Sequence, residues 1–138
     1  MIGILVVAHG TLAESLVECA THVLGQRPAN LATLDFMGHA DPEERKRVMQ
    51  ARLAELDQGE GVLVLADIYG ATPCNTLCLS LEPSHIEGVA GVNLPMLLKA
   101  LNYRESLPLL ALVERIVYGG RASINHISEA LCNAAKGY

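Results

Sequence analysis

The stretch MIGILVVAHGTLAES (residues 1–15) contains the pattern that decides the fold of this chain. The apolar run from Ile2 to Ala8 has the length and the unbroken hydrophobicity of a strand buried on both faces of a parallel sheet. The run stops at His9, and Thr11 then begins a T-x-x-E pattern, a capping box that predicts a helix from about Leu12 to Leu24. The chain therefore opens with a strand, a short turn and a helix.

The same alternation continues along the chain. Buried strands are predicted at Gly61 to Ala66 and at Ile86 to Val92, while Leu31 to Phe36 alternates more and is predicted to lie at an edge. Capping residues followed by proline predict further helix starts at Asp41-Pro42, Thr72-Pro73 and Asn93-Leu94-Pro95. A last helical stretch begins near Leu107. The predicted order is β-α-β-α-β-α-β-α-α, which is typical of a parallel sheet with helices packed on it.

This order predicts an α/β fold: a single domain, residues 1–138, with a mainly parallel central sheet of four strands and helices on both faces. Hydrophobic residues make up 51% of the chain and aromatic residues only 4%, so the core must be largely aliphatic. The segment from Ala122 to Ile127 alternates enough to be a short strand. The sequence does not decide between a helix there and a fifth, C-terminal edge strand.

Charge and composition exclude several classes of function. The net charge is −5, and the only basic run, Arg45 to Arg47, follows two glutamates, so no nucleic-acid partner is expected. No stretch reaches the roughly 18 apolar residues that span a bilayer, and the N-terminus lacks the basic region of a signal peptide. The four cysteines show no zinc or CxxC spacing, so we expect no metal and a reduced, cytoplasmic protein.

Polar residues follow three of the predicted strands. His9 follows the first strand, Asp67 the third and Asn93 the fourth, and each leads into a predicted helix start. In parallel sheets ligands bind at the carboxyl ends of the strands, near the point where the strand order reverses. Helix N-termini favour anions there because their N–H groups are unpaired. A histidine beside such termini is placed to hold or transfer a phosphoryl group.

Asp67 is the natural partner of His9. A carboxylate bonded to one ring nitrogen fixes the tautomer, leaves the other nitrogen as a nucleophile and stabilises a positive ring. Glycines let the backbone approach phosphoryl oxygens, and a threonine offers a hydroxyl or an N–H group. The candidate phosphoryl-binding residues are Gly10, Thr11, Gly70, Ala71 and Thr72. Spacing alone also fits a simpler interpretation, in which His9 is a turn residue and Asp67 a cap.

With these residues, the sequence resembles the mannose-family enzyme IIA domain of the bacterial phosphoenolpyruvate:sugar phosphotransferase system (PTS). The similarity covers about residues 1–125. It is carried by Ala8-His9-Gly10, by GVLVLADIYGATPCN (residues 61–75) and by AGVNLPMLLKAL (residues 90–101). The resemblance implies a phosphotransferase that needs no cofactor. In it, His9 would take a phosphoryl group on Nε2 from the phosphocarrier protein HPr and pass it to an enzyme IIB subunit, while Nδ1 faces Asp67.

The resemblance also sets expectations for the loop and the assembly. The family loop is usually Gly-Gly-Ser-Pro, and here it is Gly70-Ala71-Thr72-Pro73, which keeps a hydroxyl. The family forms dimers partly by exchange of a C-terminal strand, so a homodimer is expected, but the C-terminal stretch matches too poorly to predict that exchange. Many members are fused to a IIB domain; since this chain ends at residue 138, we expect a separate subunit acting in sugar uptake or regulation.

Three alternatives remain beside this interpretation. VVAHG is also similar to the start of class II tetrapyrrole metal chelatases, but these need a second histidine at a later strand end, where this chain has Asp67 and Asn93. The phosphocarrier subunit of a dihydroxyacetone kinase shares the predicted fold. A non-catalytic sensor could bind a phosphorylated ligand without covalent chemistry. Neither the sugar nor the final phosphoryl acceptor can be predicted from the sequence.

Overall fold

A computed structural model describes residues 1–38, 41–68 and 72–136 of the chain. Within these ranges the strands are β1 (Gly3–Ala8), β2 (Leu31–Asp35), β3 (Val62–Ala66) and β4 (Ile86–Ala90). The α-helices are α1 (Leu12–Leu24), α2 (Pro42–Leu56), α3 (Thr72–Ser80), α4 (Leu94–Tyr103), α5 (Leu109–Ala122) and α6 (Glu129–Lys136). A short 3-10 helix, Phe36–Gly38, follows β2. None of the described helices combines the length and hydrophobicity needed to cross a membrane.

The four strands form one parallel sheet in the order β2-β1-β3-β4. The central strands β1 and β3 are buried along their whole length, which explains their unbroken apolar sequences. Alternate residues of β1 pack on opposite faces: Ile4 and Val6 face α1, α4 and α5, whereas Leu5 and Val7 face α2. The α/β fold, the four parallel strands, the edge position of β2 and the helices on both faces are therefore confirmed.

The capping box predicted at the start of α1 is not formed. The helix begins at Leu12, as predicted, but the Thr11 side chain makes no capping hydrogen bond. The Glu14 carboxylate instead accepts hydrogen bonds from Arg27 at 2.9 Å and from Thr33 at 2.9 Å. These tertiary partners hold the Glu14 side chain beside β2 and away from the helix terminus that the local sequence pattern assigned to it.

The fifth, C-terminal edge strand is also absent from the described residues. Helix α5 continues through Gly119 and Gly120 to Ala122, and residues 124–128 form neither helix nor strand before α6 begins. A Cβ on Gly119 would lie within 3 Å of the Lys99 side chain, and one on Gly120 within 3 Å of Met96. The two glycines therefore allow α5 to pack closely on α4 and do not interrupt the helix.

Candidate functional site

His9 lies where the strand order of the sheet reverses. In the sheet, β2 lies next to β1 on one side and β3 lies next to β1 on the other side. The carboxyl end of β1 therefore borders the crevice at the switch point of the strand order. Gly10 has a φ of +61°, a left-handed conformation that turns the chain from β1 into α1. The His9 side chain is 42% exposed, so the turn presents its ring to solvent at this edge.

Asp67 follows β3 directly and holds His9 through one carboxylate oxygen. Asp67 Oδ2 lies 2.8 Å from His9 Nδ1 and also accepts the His9 backbone N–H at 3.0 Å. The other oxygen, Oδ1, accepts the backbone N–H of Ile68 at 2.8 Å. The structure thus brings together the two predicted catalytic residues. Because Nδ1 is bound to the carboxylate, Nε2 is the ring nitrogen left free for chemistry.

The electrostatics of the Asp67 carboxyl favour its ionised form. Burial raises the pKa of Asp67, but hydrogen bonds from the His9 ring, the His9 N–H and the Ile68 N–H outweigh burial and keep the pKa below its usual value. An ionised carboxylate can only accept hydrogen bonds, so Nδ1 must carry a proton to bond to it. In the neutral imidazole the lone pair then lies on Nε2, as a nucleophile requires.

Asp35, at the carboxyl end of β2, is a third residue of this site that the sequence interpretation missed. Its Oδ1 accepts the Gly10 N–H at 3.0 Å and the Met37 N–H at 2.8 Å. The N–H groups of His9 and Gly10, which are consecutive, therefore both donate to carboxylates, one from each strand beside β1. The predicted strand extended to Phe36 and so included Asp35, whereas β2 ends at Asp35.

The candidate phosphoryl-binding residues differ in what the structure describes of them. The Gly10 N–H is occupied by Asp35, whereas Thr11 precedes α1 and Thr72 begins α3, so both helix starts follow strands that end at this edge. Gly70 and Ala71 lie outside the described residues. Phosphoryl binding by these five residues stays a prediction.

Asn93, which follows β4, is engaged in structural contacts. Its side-chain oxygen caps α4 by accepting the Met96 N–H at 2.9 Å, and its amide donates to the Gly120 carbonyl at 3.2 Å. Both ends of the side chain therefore join α4 to α5.

Three exposed apolar side chains stand in the segments next to the His9–Asp67 pair. Leu12 is 44% exposed, Met37 71% and Ile68 55%, and they stand in the segments that follow β1, β2 and β3. Leu12 donates its N–H to the His9 carbonyl, and Ile68 is adjacent to Asp67. We call Leu12, Met37 and Ile68 the apolar rim of this site.

Comparison with known proteins identifies the family of the chain. The model of the family described as "PTS system fructose IIA component" matches residues 3–117. The chain is 35% identical over 125 residues to the PTS system mannose-specific EIIAB component of Escherichia coli (strain K12), in an alignment that covers 89% of this chain and 38% of that protein. It is 31% identical over 132 residues to the PTS system fructose-specific EIIA component of Bacillus subtilis (strain 168), covering 95% of this chain and 90% of that one.

A solved structure shows the same fold. The crystal structure of phosphotransferase system component EIIA from Streptococcus agalactiae matches with a TM-score of 0.80 at 23% identity, covering 91% of this chain and 97% of the other. The chain spans 38% of the length of the mannose-specific EIIAB relative, so it corresponds to a part of that protein. The resemblance noted in the sequence is confirmed: the chain belongs to the family of PTS system fructose IIA components.

Proposed function

We propose that this chain is a phosphohistidine carrier of the PTS, which accepts a phosphoryl group from HPr on His9 and passes it to an enzyme IIB subunit, in sugar uptake or its regulation. The observation that carries the proposal is the 2.8 Å contact between His9 Nδ1 and Asp67 Oδ2, which leaves Nε2 as the nucleophile. Membership of the IIA family supports this assignment.

The transfer step exchanges one phosphorus–nitrogen bond for another. His9 Nε2 attacks the phosphorus of the phosphohistidine on HPr; as the new bond forms, the bond to the donor nitrogen breaks and its electron pair returns to the donor imidazole. The ring of His9 gains positive character in this step, and the Asp67 carboxylate opposite Nδ1 stabilises that charge. A second exchange of the same kind would deliver the phosphoryl group to the IIB subunit.

The two helix starts beside His9 suit the transferred anion. Thr11 and Thr72 stand at the N-termini of α1 and α3, where unpaired N–H groups and the helix dipole favour negative charge. Since the Gly10 N–H donates to Asp35, we assign phosphoryl contacts first to these helix starts. Gly70 and Ala71, between Asp67 and α3, would complete the loop around the phosphoryl oxygens, as the family resemblance implies.

The apolar rim supports a protein as the phosphoryl donor. Exposed apolar side chains close in sequence to a reactive group suit a docked protein surface, whose core excludes water around the reacting atoms. A homodimer is part of the proposal too, because Tyr118, Ile124 and Ile127 near the C-terminus are each at least 75% exposed. We assign the carrier to the cytoplasm, where HPr would be its donor.

The chelatase alternative fits this site less well. It needs a second histidine at a later strand end, and the residues there are Asp67, which is bound to His9, and Asn93, which caps α4. Within the described residues, no cluster of three or more metal-ligating side chains is present. The family match and the His9–Asp67 geometry both favour phosphoryl transfer.

Intact mass spectrometry tests the proposal. The protein is incubated with phosphoenolpyruvate, enzyme I and HPr, and we expect it to gain one acid-labile phosphoryl group that depends on all three. His9→Ala should abolish the gain. His85→Ala is the matched control, because His85 also contacts an aspartate, Asp57 at 2.5 Å, but lies at the opposite edge of the sheet. A His9→Ala protein that still gains the group would contradict the proposal.

A further inference from the structure

The two neighbours of β1, which are β2 and β3, each carry a carboxylate at the strand end or one residue beyond it. Both carboxylates reach the turn that follows β1. Asp35 stands opposite Ala8, the last residue of β1, in the register of β2. Asp67 occupies the equivalent place after β3, one residue beyond the strand. His9 is held by Asp67 from one side, and Gly10 is held by Asp35 from the other.

The turn after His9 needs such support. Gly10 adopts a positive φ of +61°. Its N–H donates to the Asp35 side chain and so takes part neither in the hydrogen bonds of the sheet nor in those of α1. The same oxygen, Oδ1, accepts the Met37 N–H at 2.8 Å, which ties the turn after β1 to the short helix after β2. Asp35 therefore supplies the acceptor that a neighbouring backbone would otherwise have to provide.

We propose that Asp35 is a positioning residue for His9. Asp35 fixes the backbone at Gly10, the residue after His9, so that the His9 ring meets the Asp67 carboxylate. The inference rests on the proposed phosphocarrier function of His9. Asp67 fixes the ring only if the His9 Cα–Cβ bond points correctly, and that direction depends on the turn that Asp35 holds. Misplacement of a reacting group by about 1 Å can cost about 100-fold in rate.

The contacts of Asp35 indicate that the position of the acceptor oxygen matters more than its charge. Both hydrogen bonds of Asp35 come from neutral backbone N–H groups. An asparagine oxygen can accept the same two hydrogen bonds in the same place, though more weakly than a carboxylate. A glutamate keeps the charge but moves the oxygen by one methylene. The two substitutions therefore separate acceptor position from charge.

Phosphoryl transfer from phospho-HPr is measured first. We expect Asp35→Glu to lower kcat about 10- to 100-fold with little change in KM. Asp35→Asn should stay within about threefold of wild type, since it loses only the charge assistance of two hydrogen bonds. Asp41→Glu and Asp41→Asn are matched controls, because Asp41 also accepts a backbone N–H, that of Glu43, but at the start of α2.

Imidazole nitrogen NMR of the unphosphorylated protein gives a readout that needs no phosphoryl transfer. Wild type and Asp35→Asn should show the His9 ring as one tautomer with the proton on Nδ1, and Asp35→Glu should show a tautomer mixture. If Asp35→Glu does not fold, Asp35→Ala replaces it with the same expectation. The inference is overturned if Asp35→Glu or Asp35→Ala keeps both the wild-type tautomer and the wild-type rate, or if Asp35→Asn loses both.

The two readouts separate this inference from the proposed function. If wild type gains no phosphoryl group, the proposed function fails, and the NMR comparison still decides whether Asp35 orients the ring. If wild type is phosphorylated but Asp35→Asn and Asp35→Glu show the same transfer rate and the same His9 tautomer as each other, the positioning role alone fails.

Discussion

Asp67 Oδ2 contacts His9 twice, at the ring Nδ1 at 2.8 Å and at the backbone N–H at 3.0 Å. One oxygen therefore holds both the side chain and the main chain of the same residue. Because the Asp67 side chain is only 8% exposed and is bonded to Ile68 as well, it cannot follow a rotating ring. This double contact explains how a histidine that is 42% exposed can keep a single orientation.

Asp67→Asn should impair transfer far more than folding. The amide fills the same space, so we expect the free energy of unfolding to fall by about 1 kcal/mol. Loss of the negative charge opposite Nδ1 should slow transfer from phospho-HPr by about 100-fold or more. Stopped-flow transfer kinetics and urea denaturation measure the two effects. Asp57→Asn, at the other histidine–aspartate pair, should transfer normally; unchanged kinetics in Asp67→Asn would contradict the orienting role.

Met37→Glu should weaken docking of the phosphoryl donor without changing the chemistry. Met37 is 71% exposed in the apolar rim, so the substitution should barely alter stability. A carboxylate buried at a protein interface is costly, and we expect KM for phospho-HPr to rise about tenfold with kcat little changed. Leu110→Glu, at an exposed position on α5, is the control. Equal KM values for Met37→Glu and Leu110→Glu would count against the rim as a docking surface.

The residues at this edge show what a sequence can and cannot predict. His9 and Asp67 were predictable because each directly follows a buried apolar strand, and parallel topology brings such ends together. Asp35 was missed because it was counted as part of its strand, and its partners are backbone N–H groups that leave no side-chain signal. The capping box failed because Arg27 and Thr33, distant in sequence from the helix start, compete for Glu14.

The His85–Asp57 pair should make stability depend on pH. The hydrogen bond to Asp57 raises the pKa of His85, and the Gly59 N–H, followed by His85, lowers the pKa of Asp57. A raised histidine pKa stabilises the folded state fully below the pKa of the unfolded state, and this contribution is lost as pH rises through the folded-state pKa. The lowered aspartate pKa contributes above its unfolded value and is lost as pH falls through the folded value.

Urea denaturation of wild type and His85→Gln at several pH values measures this effect. The difference in unfolding free energy between the two proteins should be larger near pH 5.5 than near pH 9, with wild type the more stable at the lower pH. Added salt should shrink the difference, because both side chains of the pair are partly exposed. A difference that grows with pH would show that the pair does not bind its proton more tightly in the folded state.

Two glycines should respond very differently to alanine. A Cβ on Gly3, at the start of β1, would lie 2.5 Å from the Leu56 carbonyl oxygen, so backbone must move where α2 crosses the strand. We expect Gly3→Ala to lower the free energy of unfolding by about 2–3 kcal/mol. The three atoms nearest to a Cβ on Gly119 all belong to the flexible Lys99 side chain. Gly119→Ala should therefore change stability by less than about 1 kcal/mol, since the gain in helix propensity offsets the displaced lysine. Urea denaturation of both variants decides the matter, and equal losses would mean that contact with backbone is no costlier than contact with a mobile side chain.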